Sequence, residues 1–461
     1  MKHIHHILYC LLFIAGLSSC ITDTDYDNYC PGDGKTDADK AQVMLSLSIP
    51  NSQFPSATRS ISDDSKINSL YVLVFEGEKE DYDTNLKNYK LTDVIDITGK
   101  YTAKKRFYVA IKESKKAVCL SLVANVEAGK ISTIKNSLDA TPLTREATLK
   151  SLTFENASNL SYMPMYGEAD VFMDGLSREV GNDVTVNMVR ALAKIEVQNQ
   201  STQLTKDFEL LDIEVLNTNA KGYIAAGQGD MEQERVQSVA AAPVTIEGIP
   251  TASVYVAETT NNNPSKISVL LHANFKGEAC YYRLDMIKDD ETENAEIPEL
   301  IRNYKYIFSL QNVQSVGYTS RDEAINGSPS NGVIKARMML LSAEESDILD
   351  ITTDDYYFLG VNSSTLQLDS YTDASEGFFT KLKILTNNEA GWKIVDYPEE
   401  GVRFTIAATD GSTDGTAGGT FSSGEARKVI SVWVSTKTNE DFNFYITSGK
   451  IRKTITVKAK P

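Results

Sequence analysis

Histidine is nearly missing from this chain of 461 residues: there are four, and His3, His5 and His6 sit at the very start. The fourth, His272, lies in the apolar run Val269-Leu270-Leu271-His272-Ala273-Asn274 and reads as a sheet histidine. Any Ser-His-Asp or Cys-His nucleophile would have to share that single imidazole. Cysteine is also sparse, with five residues at 10, 20, 30, 119 and 280. They are too scattered for a disulfide framework or a metal-type spacing. Cys119, in Ala117-Val118-Cys119-Leu120, reads as a buried free thiol. No G-x-S-x-G elbow, Walker loop, G-x-G-x-x-G or H-E-x-x-H occurs. Asp23, Asp25 and Asp27 start like an EF-hand, but Asn28 stands where glycine is needed and Gly34 where glutamate is needed. With 63 acidic residues, an isolated carboxylate pair carries no information about glycoside hydrolysis. The expectation is a non-catalytic protein with no metal and no cofactor. Positive charge is the minority sign, and the net charge of −17 argues against nucleic acid and an anionic membrane surface as partners. After the first twenty residues, no run approaches the ~20 apolar residues of a membrane helix.

The N-terminus does have a pattern. Lys2 precedes the apolar stretch from Ile7 to Leu17, which has the length of a signal-peptide core. Leu17-Ser18-Ser19-Cys20 then places a branched apolar residue at −3, small residues at −2 and −1, and cysteine at +1. That is a lipobox. Residues 1–19 are therefore read as a signal peptide, and Cys20 as the lipidated (palmitate-type) residue of an exported lipoprotein. Residues 20–40, rich in Asp, Gly and Thr with no apolar period, read as a flexible tether.

Beyond the tether the chain reads as mostly β, with short period-two or apolar runs separated by Gly, Asn, Asp and Pro clusters. The spacing is that of tandem β-sandwich domains of transthyretin-like or immunoglobulin-like type. Leu138 to Leu152 reads as a helix. The expected units are 60–188, 189–314 and 350–461, with 315–349 as an irregular connector. Trp392 and Trp433, both in the third unit, are expected in its core.

The segment 41–59 precedes the first unit. Val43, Leu45, Leu47 and Ile49 alternate with polar residues and share one face of a strand. The polar stretch after Pro50 carries Ser56-Ala57-Thr58-Arg59-Ser60, and then comes the apolar Leu70-Tyr71-Val72-Leu73-Val74-Phe75. A loop of this length and polarity is protease-accessible. Withdrawing the four apolar side chains would uncover a groove at about 1.5 to 3 kcal/mol per side chain. That sum rivals the ~5 to 15 kcal/mol that holds a typical domain together, so an emptied groove should be refilled by strand addition.

This order of elements resembles the fimbrillin superfamily of Bacteroidales, the subunits of type V pili. The resemblance covers about residues 1–315. It includes Leu120-Ser121-Leu122-Val123-Ala124-Asn125, Met163-Pro164-Met165-Tyr166-Gly167, Arg190 to Val197, Tyr255-Val256-Ala257-Glu258 and Arg302-Asn303-Tyr304-Lys305-Tyr306. It implies two fimbrillin domains, followed here by a third, immunoglobulin-like one. It implies an outer-membrane lipoprotein precursor, cut by an arginine-specific protease between Arg59 and Ser60. The strand carrying Val43, Leu45, Leu47 and Ile49 would then leave, and a strand from another pilus subunit would replace it in a cell-surface fimbrium. The terminal run Ile451 to Val457 reads as half of a hairpin, so donation of a strand is not expected. A tip or accessory position follows. The alternatives are a membrane-retained anchor, or a non-polymerising surface lipoprotein that binds glycan.

Overall fold

The computed structural model describes residues 39–48, 61, 63–99, 106–200, 204–228, 235–239, 242–246, 249–261, 266–289, 294–296, 299–341, 350–353, 358–371, 377–386, 388, 390–398, 401–406 and 429–460. Within them the chain is mostly β, as its period-two runs require, and it builds three sandwiches around three apolar cores.

The first sandwich opposes a three-stranded and a five-stranded sheet. Its strands are β1 (Lys40–Ser48), β2 (Leu70–Gly77), β3 (Lys90–Asp96), β4 (Arg106–Lys112), β5 (Ala117–Ala124), β6 (Met165–Glu168), β7 (Asn182–Asn187) and β8 (Val189–Arg190). The small sheet runs β4-β1-β7, and the large one β3-β2-β5-β6-β8. β5 is buried along its whole length, including Cys119, because one face meets the small sheet and the other is covered. The expected helix at 138–152 is instead two helices, Ala128–Ala140 and Arg145–Ser151. Pro142 divides them: the residue before it, Thr141, is forced into extended backbone (φ −136°, ψ 106°). Thr144 then caps the second helix, its side chain accepting from the Ala147 N–H.

The second sandwich contains β9 (Leu192–Asn199), β10 (Phe208–Asn219), β11 (Ile249–Ala257), β12 (Ser268–Phe275), β13 (Glu278–Asp285), β14 (Lys305–Val313) and β15 (Ile334–Leu341). One sheet holds β11-β9-β14-β15 and the other β10-β12-β13. The region read as a connector departs from expectation. Residues Arg321–Asn326 form a helix, and β15 pairs antiparallel with β14 along its length. Its apolar positions Ile334 and Met338 belong to the second core, which is why this strand is held. The boundary before this unit also shifts slightly, since β8 pairs with β6 of the first sandwich.

The third sandwich packs the sheet containing β16 (Phe358–Val361), β17 (Phe378–Thr386) and β18 (Ile430–Thr436) on β19 (Phe442–Ser448) and β20 (Ile451–Lys458). Trp392 is in its core, as expected. Trp433 is not: Val432 and Val434 point inward, so the period of two turns the indole between them outward. A small apolar cluster of Ile307, Leu341, Phe358 and Leu385 joins the second and third units.

One glycine shows how tightly the first unit is closed. A Cβ on Gly167 of β6 would lie 2.6 Å from the Val186 side chain and 2.8 Å from the Asn187 carbonyl oxygen. Gly167→Ala should therefore destabilise the protein by about 1–3 kcal/mol in denaturant unfolding. Gly129→Ala, on a helix with open space around the position, should be neutral or slightly stabilising.

Candidate functional site

β1 occupies the middle of its sheet. It pairs antiparallel with β4, from Lys40 opposite Lys112 to Ser46 opposite Arg106. On its other side it pairs parallel with β7, from Val43 opposite Asn182 to Ser48 opposite Asn187. The ladder extends past both ends: the Glu113 N–H donates to the Asp39 carbonyl, and the Met188 N–H to the Ser48 carbonyl. The buried Asn182 amide donates to the Gln42 carbonyl at 3.3 Å.

Side chains follow the expected alternation. Ala41, Val43, Leu45 and Leu47 are buried in the first core together with Phe107, Val109 and Ile111 of β4 and Val184 and Val186 of β7. Gln42, Met44 and Ser46 face the other way and are half-exposed. Ile49 lies outside the described residues, as do Cys20, Arg59 and Ser60. For Val43, Leu45 and Leu47 alone, burial amounts to roughly 5 to 9 kcal/mol. β4 and β7 make no pairing with each other. Without β1 each would present an open edge, and the two would bracket an apolar slot one strand wide.

From Ile61 onward the chain is fixed to the body. Ile61 is fully buried. Asp64 is buried too, its Oδ2 accepting from the Tyr255 hydroxyl at 2.6 Å and lying 3.2 Å from Arg190 Nε. These three come from the post-loop segment, from β8 and from β11, so the contact ties the first sandwich to the second. The cluster continues on the outer face of the second unit's sheet. Parallel pairing of β9 with β14 sets Lys194 opposite Lys305, and both ammonium groups reach Glu196, at 3.5 and 3.0 Å. Burial drives the Lys194 pKa down, against the pull of Glu196. The charges of Lys305 and Lys194 hold the Glu196 carboxylate below the usual range in spite of its burial.

The stretches that carry the family resemblance are concentrated in this scaffold. Asn125, which ends β5 in the left-handed region at φ 59°, accepts from the Asn68 and Ser69 N–H groups. It also donates to the Lys66 and Met163 carbonyls, which pins the strand after the loop. Arg302 is bonded to the Tyr223 and Ile224 carbonyls and paired with Glu258. Asn303 adopts φ 64°, and its side-chain oxygen accepts from the Arg190 N–H. In the sequence these residues are motif letters without partners. Asp64 is not legible there as the partner of Arg190, since its sole signal is an acidic residue in a polar loop. His272 lies on a sheet face, with Nδ1 3.0 Å from Asp212 and its ring stacked on Tyr281 at 4.6 Å.

No family model matches the sequence, and no curated protein does. Solved structures of fimbrial proteins are similar to it. One is the tip fimbrial protein Mfa3 from Porphyromonas gingivalis with C-terminal truncation, 13% identical, with a TM-score of 0.41 over 65% of this chain and 99% of that one. Another is a fimbrial assembly protein from Parabacteroides distasonis, 15% identical, with a TM-score of 0.37 over 59% of this chain and 92% of that one.

Removing the Asp64 carboxylate takes an ion-pair partner at 3.2 Å from the buried Arg190 guanidinium. Asp64→Ala should cost about 3–5 kcal/mol in equilibrium unfolding. Burial first, and the Asp64 charge second, raise the Tyr255 phenol well above its ordinary value. Its folded pKa thus exceeds the unfolded value of about 10. The stabilisation is complete below pH about 10 and is lost as pH rises beyond it. The urea midpoint should fall in that range, and fall less in Tyr255→Phe.

Proposed function

We propose that this chain is a structural subunit of a bacterial fimbria that accepts a strand from a neighbouring subunit in place of its own β1. In this reading it is exported as a lipoprotein on Cys20, cut between Arg59 and Ser60, and relieved of residues 20–59. The observation that carries it is the placement of β1: an interior strand with a buried apolar face, joined to the folded remainder through one polar segment. The fixed points at Ile61 and Asp64 support it further, because a cut in 49–60 frees β1 without loosening the chain on its far side.

The tip or accessory position rests on the third unit. β20 is paired along its length with β19, and its Ile455 and Val457 are fully buried. The residues after it are held as well, with the Ala459 N–H on Asp441 and the Lys460 N–H on Asn439. A strand so committed is a poor donor.

Mass spectrometry of the N-terminus recovered from surface-exposed protein tests this reading. A start at Ser60 is expected, together with incorporation into high-mass, lipid-free polymers. Arg59→Ala should leave the precursor uncut and unassembled. Normal maturation of that variant would overturn the cleavage site, and a permanent acylated Cys20 start would make the chain an anchor.

A further inference from the structure

The outer face of the third unit carries a grid that the fold alone does not require. β17, β18 and the strand Val402–Ile406 lie side by side in antiparallel register. Their inward positions fill the core, and their outward positions form two rows. Phe379, Ser435 and Arg403 stand abreast in one, and Lys381, Trp433 and Thr405 in the next. Phe379 touches Trp433 diagonally, with ring centroids 5.3 Å apart, and Tyr371 on the far side, at 4.6 Å. All three rings are half-exposed, whereas Lys381 and Arg403 are exposed. The Lys381 ammonium lies 5.7 Å from the centre of a Trp433 ring.

Three half-exposed rings in a row on a sheet face call for a ligand with flat apolar faces. With centroids 4.6 and 5.3 Å apart and planes tilted by 40° and 53°, the three rings form a stepped apolar surface rather than one flat plate. The charges select the sign. The chain as a whole carries −17, yet the outward charged residues of these strands, Lys381, Lys383 and Arg403, are all cations. Asp369, opposite Phe379 on the adjoining strand, is paired with Lys460 at 2.8 Å. A local cationic field on an acidic protein attracts an anion and repels none of its own surface there.

We infer that this face binds an acidic saccharide, whose ring faces lie on Tyr371, Phe379 and Trp433 and whose carboxylate or sulfate groups meet Lys381 and Arg403. The inference stands apart from strand exchange, since the platform belongs to the third unit and needs neither the cut nor a partner subunit.

Affinity electrophoresis of the full chain tests it, in native gels containing polygalacturonate (carboxylate), chondroitin sulfate (sulfate and carboxylate) or dextran (neutral). Retardation is expected in one or both acidic gels and not in dextran, and added salt should weaken it. Trp433→Ala should weaken binding by about tenfold with an unchanged thermal midpoint. Lys381→Glu combined with Arg403→Glu, both at exposed positions, should abolish it. No retardation in either acidic gel would overturn the proposal, and so would equal retardation in dextran. Unaltered binding by folded Trp433→Ala would reduce the effect to charge alone and overturn it as well.

Discussion

The first sandwich depends on an interior strand held to the rest of the chain by a single polar segment. Among the described residues no ladder joins β4 directly to β7, so β1 is the strand that makes the small sheet continuous. An edge strand could leave at the cost of one ladder and part of one apolar face. An interior strand takes two ladders with it and opens the core between them. Whatever refills the slot must satisfy an antiparallel neighbour on one side and a parallel one on the other. It must also supply apolar side chains at every second position, where Ala41, Val43, Leu45 and Leu47 now lie. Those requirements define a narrow class of replacement strands without naming one.

The chain beyond residue 60 has anchors of its own, separate from the ladders of β1. The chain on the far side of the loop is fastened within a few residues, by the buried Ile61, by Asp64 between Arg190 and Tyr255, and by the four bonds of Asn125. Buried ion pairs are weak contributors to net stability, because desolvation offsets most of their attraction. Their directionality is what matters here. The Asp64 carboxylate engages donors from both sandwiches at once, so the units cannot slide past each other without stranding a buried charge. The Lys194–Glu196–Lys305 cluster ties β9 to β14 within the second unit.

How much of this is legible in the residues alone depends on the kind of signal each one carries. Alternation in 43–47 discloses β1 and its buried face directly, because a period of two is a statement about geometry. Trp433 carries the same signal, lying between two valines, but residue type points to the core and period points outward; period prevails. A helix running through 138–152 ignores Pro142, although proline and its predecessor mark a boundary. The expected connector hides β15 even though Ile334-Lys335-Ala336-Arg337-Met338 alternates; five alternating residues are a short signal, and pairing with β14 is what holds the strand. Long-range partners are out of reach altogether. Nothing local ties Asp64 to Arg190, which lies 126 residues away, and Asn303 is recognisable as a joint residue only through its positive φ.

If the chain assembles by strand addition as proposed, accepting and donating strands would draw on the same free energy, the burial of an apolar face. A strand that enters the slot gains burial for three or four apolar side chains. The strand that β20 would have to surrender places Ile451, Ile455 and Val457 in the third core and a buried Lys453 beside them. Moving such a strand from its own sandwich to a neighbour's groove exchanges one burial for another of like size, while the vacated sandwich is left open. Burial alone would give such a transfer little net driving force. A donor strand must instead be one whose apolar face is unsatisfied before assembly, and β20 is already satisfied at home. On the proposed reading, a chain that accepts a strand at its first unit would therefore not pass one on from β20.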